Sequence, residues 1–294
     1  MDRKDFLKSL ALIPLTTTAM KLQDLSKLTD TFKSTEQMPV LFLGHGSPMN
    51  AIETNEFSKQ WQTLGKTLPK PNAILCISAH WETRGTFLTA MEKPQTIHDF
   101  GGFPQALFDV QYPAPGNPLL AEETKKIITK TEVGLDHKWG LDHGCWSVVK
   151  HLYPNADVPV IQMSLDYLQT PQYHYELAKE LAALRKKGVL IIGSGNIVHN
   201  LGMIDWSKVT APEYGYDWAI EANNKMKEFI KSKDHQQLIN YRSQGKAFDL
   251  AIPSPDHYLP LLYTLALQEE NEEAIVFNDK PVMGSLTMTS LKIG

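Results

Sequence analysis

Four histidines stand where a sheet could bring them together. His45, His80 and His199 each follow a short apolar run of the kind that forms a buried strand, and His257 precedes a helix-like segment. The carboxyl ends of parallel strands meet in one crevice of an open sheet, so side chains that are distant in sequence converge there. Neutral imidazole nitrogen is a common ligand of zinc and iron. The pattern therefore predicts that these histidines share a divalent metal ion.

Each histidine also has a simpler interpretation. A single histidine after a strand is more often a hydrogen-bonded turn residue than a ligand, and only the repeated placement favours a metal. His143, in the segment Gly140–Gly144, could cap the helix that follows or contact a substrate, and His98 is a weaker site candidate. The remaining histidines are interpreted as solvated or structural: His137, His151, His174 and His235.

Three common catalytic motifs do not occur in the sequence. There is no GxxxxGK[ST] phosphate loop, which disfavours a nucleotide-driven enzyme. The turn Gly193-Ser194-Gly195 lacks the third glycine of a dinucleotide fingerprint, because Val198 stands in its place. Ser194 does not lie in a G-x-S-x-G nucleophile elbow either. The histidines are left as the main chemical feature of the chain.

Composition excludes several classes of protein. The chain has 294 residues, with 29 Lys+Arg against 33 Asp+Glu and a formal net charge of −4, whereas a nucleic-acid-binding protein needs a basic face. Its hydrophobic fraction of 42% and charged fraction of 21% are ordinary for a globular protein. With only two cysteines, we expect neither a disulfide framework nor a thiolate zinc cluster. Any metal must be held by His, Asp or Glu.

The elements that must position the histidines alternate between short apolar runs and helix-like segments. This order predicts an α/β fold, a single domain with a mostly parallel central sheet flanked by helices and a metal site at the carboxyl ends of the strands. The predicted strands are Val40–Leu43, Ile74–Ser78, Phe87–Ala90, Val158–Met163, Val189–Ile192 and Ala274–Phe277. The predicted helices are Phe57–Leu68, Leu119–Lys130, Cys145–Leu152, Pro171–Lys187, Tyr216–Lys231 and Tyr258–Leu267. Residues 38–294 are predicted to form one catalytic domain.

The first 37 residues differ from the remainder. Arg3-Lys4 precedes the apolar stretch Ala11–Met20, a degenerate match to a twin-arginine export signal, and a polar run follows. The apolar stretch is too short to span a bilayer, so we expect no stable membrane anchor. The alternative is an amphipathic helix and linker on a cytoplasmic enzyme. We therefore predict an N-terminal extension over residues 1–37, with a cytoplasmic location as the first expectation and export as the alternative.

A Gly/Pro-rich segment, Asp99–Pro118, is interpreted as a long ordered loop because it carries several aromatic residues. Long loops inside compact domains are usually functional or disordered. Phe100 and Phe103 from this loop, together with Trp81 and Trp146, are candidates for the wall of a substrate pocket. Aromatic residues at such places are as often part of the core.

Six ordered motifs resemble the class III extradiol ring-cleavage dioxygenases. They match the 4,5-DOPA dioxygenase extradiol group, which is related to the catalytic subunit of protocatechuate 4,5-dioxygenase. The resemblance runs from about Met38 to the C-terminus. The motifs are LGHGSPM at 43–49, SAHWE at 78–82, HDFGGFP at 98–104, GLDHG at 140–144, GSGNIVHN at 193–200 and PSPDHY at 253–258.

The resemblance implies a role for each histidine of the pattern. It makes His45, His80 and His257 metal ligands, His199 the acid/base residue or a further ligand, and His143 the substrate-side histidine. The protocatechuate branch supplies a glutamate as third ligand, whereas this sequence matches an all-histidine pattern and so departs from the two-histidine, one-carboxylate set. The implied reaction opens a small aromatic diol with O2 to a muconic semialdehyde.

This chemistry favours iron over zinc as the working metal. The metal must bind a catechol and O2 and pass electron density between them, which Fe(II) with open positions can do and redox-inert zinc cannot. Zinc stands above Fe(II) in the general affinity order, so Zn(II) is also expected as a bound metal. An unperturbed imidazole pKa of about 6.5 would let His199 take a catechol proton and return it.

Two alternative functions would use the same histidines. A zinc hydrolase would lower the pKa of a bound water and need no O2. A non-catalytic metal-binding protein would take up metal without turnover. The sequence has no signal for the oligomeric state of the protein.

Overall fold

Short apolar runs form the central strands, as the sequence predicts. The computed structural model describes residues 36–211 and 213–294, so the predicted signal and nearly all of the extension over 1–37 lie outside the described residues. The strands in the described ranges are β1 Val40–Gly44, β2 Ala73–Thr83, β3 Thr86–Thr89, β4 Gln95–Thr96, β5 Val133–Asp136, β6 Gly140–Leu141, β7 Val160–Asp166, β8 Val189–Gly195, β9 Ala274–Phe277, β10 Pro281–Val282, β11 Leu286–Thr287 and β12 Ser290–Ile293. Strands β1, β7 and β8 are buried along their whole length, as strands covered on both faces must be.

Eight of these strands form one sheet in the order β5-β3-β7-β2-β8-β1-β12-β9. Strand β2 pairs in parallel with β7 and β8, and β8 pairs in parallel with β1. Antiparallel pairing joins β1 to β12, β12 to β9 and β3 to β7. The four central parallel strands therefore end at the same edge. The predicted single α/β domain with a mostly parallel sheet is confirmed.

Helices cover both faces of the sheet and build a core on each. The helices in the described ranges are α1 Glu56–Thr67, α2 Gln105–Phe108, α3 Pro118–Ile127, α4 His143–Leu152, α5 Pro171–Lys179, α6 Ala182–Arg185, α7 Asp217–Lys231, α8 His235–Ile239, α9 Lys246–Ala251 and α10 Leu259–Leu265. Alternate residues of β1 face opposite sides, since Val40 and Phe42 join one core cluster and Leu41 and Leu43 the other. Within residues 36–211 and 213–294, none of the helices has the length and apolar character needed to cross a membrane.

One predicted helix is interrupted. The segment Pro171–Lys187 forms two helices, α5 and α6, instead of one. At the break, the backbone N–H groups of Glu180 and Leu181 bond to carbonyls three residues back, a tighter turn than that of an α-helix. The Glu180 carboxylate also accepts hydrogen bonds from the backbone N–H groups of Thr129 and Lys130. This tie to a neighbouring segment fixes the chain at the break.

Strand β2 continues past its predicted end at Ser78, so His80 lies inside the strand and not after it. The pairing of β2 with β7 shifts register between Ile77 and Glu82. Such an irregularity bends a strand and re-aims its side chains, and it is common next to active sites. The prediction that His80 follows the strand is therefore wrong, although His80 still lies near its carboxyl end.

A buried histidine far from the predicted site makes stability depend on pH. His174 in α5 is fully buried, with Nδ1 2.9 Å from the Tyr263 hydroxyl, and burial lowers the pKa of His174 from 6.5 to about 4. The unfolded chain is protonated first, so stability falls as pH drops from about 6.5 toward about 4, by about 2 kcal/mol at pH 5. Urea unfolding of metal-free protein at pH 7.5 and pH 5 measures this loss. Between pH 7.5 and pH 5, the free energy of unfolding of His174→Gln should fall by about 2 kcal/mol less than that of the wild type. Equal falls in the two proteins would contradict the prediction.

Candidate active site

Five histidine rings meet at the carboxyl edge of the parallel strands. Between ring centroids, His45 lies 5.0 Å from His80 and 5.2 Å from His257, and His80 lies 4.9 Å from His257. His143 lies 3.9 Å from His80, and His199 lies 3.5 Å from His257. The structure therefore brings together all four histidines of the sequence pattern, with His143 beside them.

A tight turn after β1 presents His45. Gly46 has a positive φ of 61°, a conformation that glycine adopts without strain. The Nδ1 atom of His45 lies 3.0 Å from the Ser194 hydroxyl oxygen. That hydroxyl donates its single proton to the Gly144 carbonyl, so it can only accept from Nδ1. The Nε2 atom of His45 is left with a free lone pair.

The Asp99 carboxylate holds two histidines. It accepts hydrogen bonds from the backbone N–H of His143 at 2.8 Å and from its Nδ1 at 2.9 Å. The same carboxylate lies 3.4 Å from Nδ1 of His80, whose Nε2 faces Nε2 of His45 at 3.1 Å. Burial alone would raise the pKa of Asp99, but the bonds from His143 outweigh it and lower that pKa. The ionised carboxylate thus directs Nε2 of both histidines away from itself.

Asp256 has the same relation to His257. It accepts a hydrogen bond from Nδ1 of His257, and this bond outweighs burial and lowers the pKa of Asp256. His199 stacks on His257 with the two rings 6° from parallel. The lone pairs of an imidazole lie in its ring plane. Because the two rings are stacked, the lone pairs of His199 and those of His257 lie in two separate, nearly parallel planes.

The donor atoms fit one metal ion. One nitrogen from each of His45, His80 and His257 lies within 4.8 Å of the other two. Two nitrogens bound at about 2.0–2.1 Å to one ion are about 2.8–3.4 Å apart at octahedral or tetrahedral angles, and the Nε2 atoms of His45 and His80 are 3.1 Å apart. Because both Nδ1 atoms face oxygen acceptors, the two Nε2 lone pairs face each other with no proton between them. A cation would relieve that repulsion.

Burial and mutual repulsion keep three rings of the cluster uncharged: His45, His80 and His199. Burial first, and then the charges its neighbours would carry, lower the pKa of His45 and of His80 well below 6.5. Burial, followed by the neighbouring His257, lowers the pKa of His199 to about 3. The unperturbed pKa expected from the sequence is therefore wrong for His199. At neutral pH these rings are in the unprotonated form, which accepts a proton or binds a metal.

Aromatic side chains flank the cluster on the side of His143. Phe100 meets the His143 ring edge-to-face, with 5.5 Å between centroids. Phe103 and Trp146 both contact Phe100, so each lies one ring away from the histidines. Trp146 is fully buried and donates its indole N–H to the Ile97 carbonyl at 2.8 Å.

Trp81 and His98 support the surroundings of the cluster. Trp81 is buried next to His80 in β2 and stacks on Trp139, with 5.7 Å between centroids. The Nε2 atom of His98 lies 2.9 Å from the Val110 carbonyl oxygen and so ties the residue before the segment Asp99–Pro118 to the middle of that segment. This segment, predicted as an ordered loop, contains the short helix α2 and is otherwise irregular.

Sequence reasoning missed the residues that orient the histidines: Ser194, Asp99 and Asp256. Asp256 stands next to His257, and a carboxylate beside a candidate ligand is a signal that could have found it. Ser194 and Asp99 hold histidines from other parts of the chain. Spacing alone does not reveal such partners.

Asp99→Asn is expected to lower kcat about 10–100-fold, because an amide cannot hold His143 and face His80 as the carboxylate does. Steady-state turnover on a catechol, with metal content measured in parallel, checks this. The control is Asp279→Asn, which alters a carboxylate bonded to Lys227 and Asn223 outside the cluster. Wild-type kcat in Asp99→Asn would contradict the role of the carboxylate.

A cluster of imidazoles at the carboxyl edge of a parallel sheet, with the Nδ1 atoms of four of them beside oxygen acceptors, is typical of a metalloenzyme site. Residues 38–282 match the family described as the catalytic LigB subunit of aromatic ring-opening dioxygenase. The chain belongs to this family and is a metal-dependent extradiol dioxygenase. Membership confirms the resemblance and excludes the two alternatives, a zinc hydrolase and a non-catalytic metal-binding protein.

Named relatives and a solved structure agree with this assignment. The chain is 46% identical to the 4,5-DOPA dioxygenase extradiol of Escherichia coli (strain K12), over 90% of this chain and 98% of the relative. It is 34% identical to the 4,5-DOPA dioxygenase extradiol of Beta vulgaris, over 85% of this chain and 94% of the relative. A crystal structure of an uncharacterized protein from Escherichia coli K12 matches with a TM-score of 0.76 and 41% identity, covering 88% of this chain and all of that one (100%).

Proposed function

We propose that this enzyme uses Fe(II), held by His45, His80 and His257, to open the ring of a catechol with O2. The observation that carries the proposal is the 3.1 Å approach of Nε2 of His45 to Nε2 of His80, while the Nδ1 atom of each ring faces an oxygen acceptor. Bound Fe(II) would supply the electron transfer that lets O2 react with an aromatic diol. Zn(II) would also fit three imidazole nitrogens but has no redox chemistry. A zinc-loaded sample is therefore expected to be inactive.

His199 is the proposed base and acid. The lowered pKa leaves the ring unprotonated at neutral pH but makes it a weaker base, and the nearby charge of Asp256 partly offsets this because it favours the protonated ring. We propose that a ring nitrogen of His199 takes a proton from a catechol hydroxyl and returns it after the ring has opened. General acid–base catalysis of this kind contributes about 10²–10⁴-fold to a rate.

His143 is the proposed residue on the substrate side. Asp99 accepts a hydrogen bond from Nδ1–H of His143, so Nε2 of His143 can accept a hydrogen bond from a catechol hydroxyl. Phe100 lies against the same ring and offers an aromatic contact to the substrate. Phe103 and Trp146 back Phe100, and with Trp81 on the strand of His80 they are proposed as the pocket wall.

The proposed substrate is a DOPA-like catechol, and the product is a muconic semialdehyde. The names of the relatives in Escherichia coli and Beta vulgaris support this choice.

We also propose that residues 38–294 are the catalytic domain, that residues 1–37 are an extension and that the enzyme works in the cytoplasm. Cys76 and Cys145, both buried and free, suit a reducing compartment.

The test is an anaerobic reconstitution followed by controlled addition of O2. Metal-free protein is loaded with Fe(II) or with Zn(II) and mixed with DOPA, protocatechuate, caffeate or unsubstituted catechol. We expect a yellow ring-opened product and equimolar O2 uptake only with Fe(II), and fastest with DOPA. Product formed at the same rate without O2, or with Zn(II), would overturn the proposal.

A further inference from the structure

One buried asparagine bonds to the turns of two of the proposed ligands. Asn196 directly follows β8, the strand between β1 and β2, and is only 1% exposed. Its Oδ1 accepts from the backbone N–H of Gly46 at 3.1 Å, and its Nδ2 donates to the Thr287 carbonyl at 2.7 Å. Its backbone N–H donates to the His257 carbonyl at 3.0 Å. Asn196 therefore joins the residue after His45 to the backbone of His257.

The two side-chain bonds of Asn196 fix which way its amide faces. The Gly46 backbone N–H can only donate, and the Thr287 carbonyl can only accept. A rotated amide would place donor against donor and acceptor against acceptor. No residue with a single polar group at this position could make both bonds.

The end of β8 supports both turns closely. The backbone N–H of His45 donates to the Gly195 carbonyl at 3.1 Å. A side chain at Gly195 would lie 2.1 Å from the His257 carbonyl oxygen, so the His257 turn rests directly on the strand. Asn196 is the only one of these supports that acts through a side chain, and it can therefore be altered by substitution.

We propose that Asn196 is a positioning residue that sets the separation of His45 from His257 and so the affinity of the site for its metal. The proposal rests on the ligand assignment made under the proposed function. Asn196 acts through the backbones of the two turns. Loss of groups that orient metal ligands typically costs about 10–100-fold in metal affinity, because the ligands no longer hold one geometry.

The test measures the dissociation constant for Zn(II) of the metal-free full chain by competition with a chromogenic chelator. Asn196→Ala, which removes both side-chain bonds, is expected to weaken Zn(II) binding about 10–100-fold. Asn196→Ser is a milder variant whose hydroxyl is too short to reach both partners, and it should also weaken binding. Asn196→Asp keeps an acceptor for Gly46 but places a second acceptor against the Thr287 carbonyl, so it should also weaken binding.

The matched control is Asn223→Ala. Asn223 is 5% exposed and makes two side-chain hydrogen bonds, to Asp279 and Thr289, away from the cluster. Both Asn223→Ala and Asn196→Ala should lower the midpoint of urea unfolding, because each removes buried hydrogen bonds. Only Asn196→Ala should weaken Zn(II) binding. Equal losses of affinity in the two variants would reduce Asn196 to a general structural role and overturn the proposal.

A reference variant, His45→Ala, separates failure of this inference from failure of the ligand assignment. If His45→Ala loses Zn(II) while Asn196→Ala and Asn196→Ser bind as wild type, only the positioning role is overturned. If His45→Ala keeps Zn(II), the ligand assignment itself falls. Should Asn196→Ala not fold, wild-type affinity in Asn196→Ser is enough to overturn the positioning role.

Discussion

His45→Ala is expected to yield a folded protein that has lost both its metal and its ring-opening activity. His45 directs a free Nε2 at the Nε2 of His80 and lies among the rings of His80 and His257. Removing a ligand itself should weaken metal binding by more than the ~100-fold that marks the upper end for groups that only orient ligands. Metal content after dialysis, measured by mass spectrometry, and turnover on DOPA check the two losses.

The control for His45→Ala is His235→Ala, which removes a partly buried imidazole elsewhere in the fold. His235 lies in α8, where its ring bonds to the Tyr175 hydroxyl and the Gln268 side chain. This variant should keep metal and activity, because none of its contacts reaches the cluster. A His45→Ala protein that stays loaded with metal would show that His45 is not a ligand.

Much of the fold can be predicted from sequence because buried parallel strands are continuous apolar runs. The buried strand β1 differs from its prediction only by Gly44 at its end. The edge strand β9, although antiparallel and partly exposed, also has the predicted bounds, Ala274–Phe277, because it is a continuous apolar run. Strand β12, Ser290–Ile293, is not predicted, since two apolar residues interrupted by a lysine form no clear pattern. It exists because it fits between β1 and β9, and such long-range pairing has no local signal.

The site is less predictable than the fold, and the reason is physical. Convergence of His45 and His199 follows from where their strands end. The bulge that re-aims His80 and the carboxylate of Asp99 that holds it depend on pairing and packing between distant segments. The low pKa of His199 likewise comes from burial against His257, which spacing does not encode.

His199→Ala is expected to retain the metal and to lose about 10²–10⁴-fold in kcat. The His199 ring is stacked on His257, 6° from parallel, with 3.5 Å between the centroids. His45, His80 and His257 would hold the metal, whereas the nitrogens of His199 lie in a separate plane stacked on the His257 ring, so we assign His199 to proton transfer and not to metal binding.

Metal content and single-turnover kinetics of His199→Ala and His199→Gln separate the two roles left open by the sequence. Gln keeps a polar group of similar reach but cannot take up a proton near neutral pH, so both variants should hold wild-type amounts of Fe(II) and turn over slowly. Loss of Fe(II) from both would make His199 a ligand instead. The stacked rings of His199 and His257 would then have to rotate when metal binds. The catechol proton would also need another acceptor. Nε2 of His143 is a candidate, because the Nδ1–H of that ring already donates to Asp99.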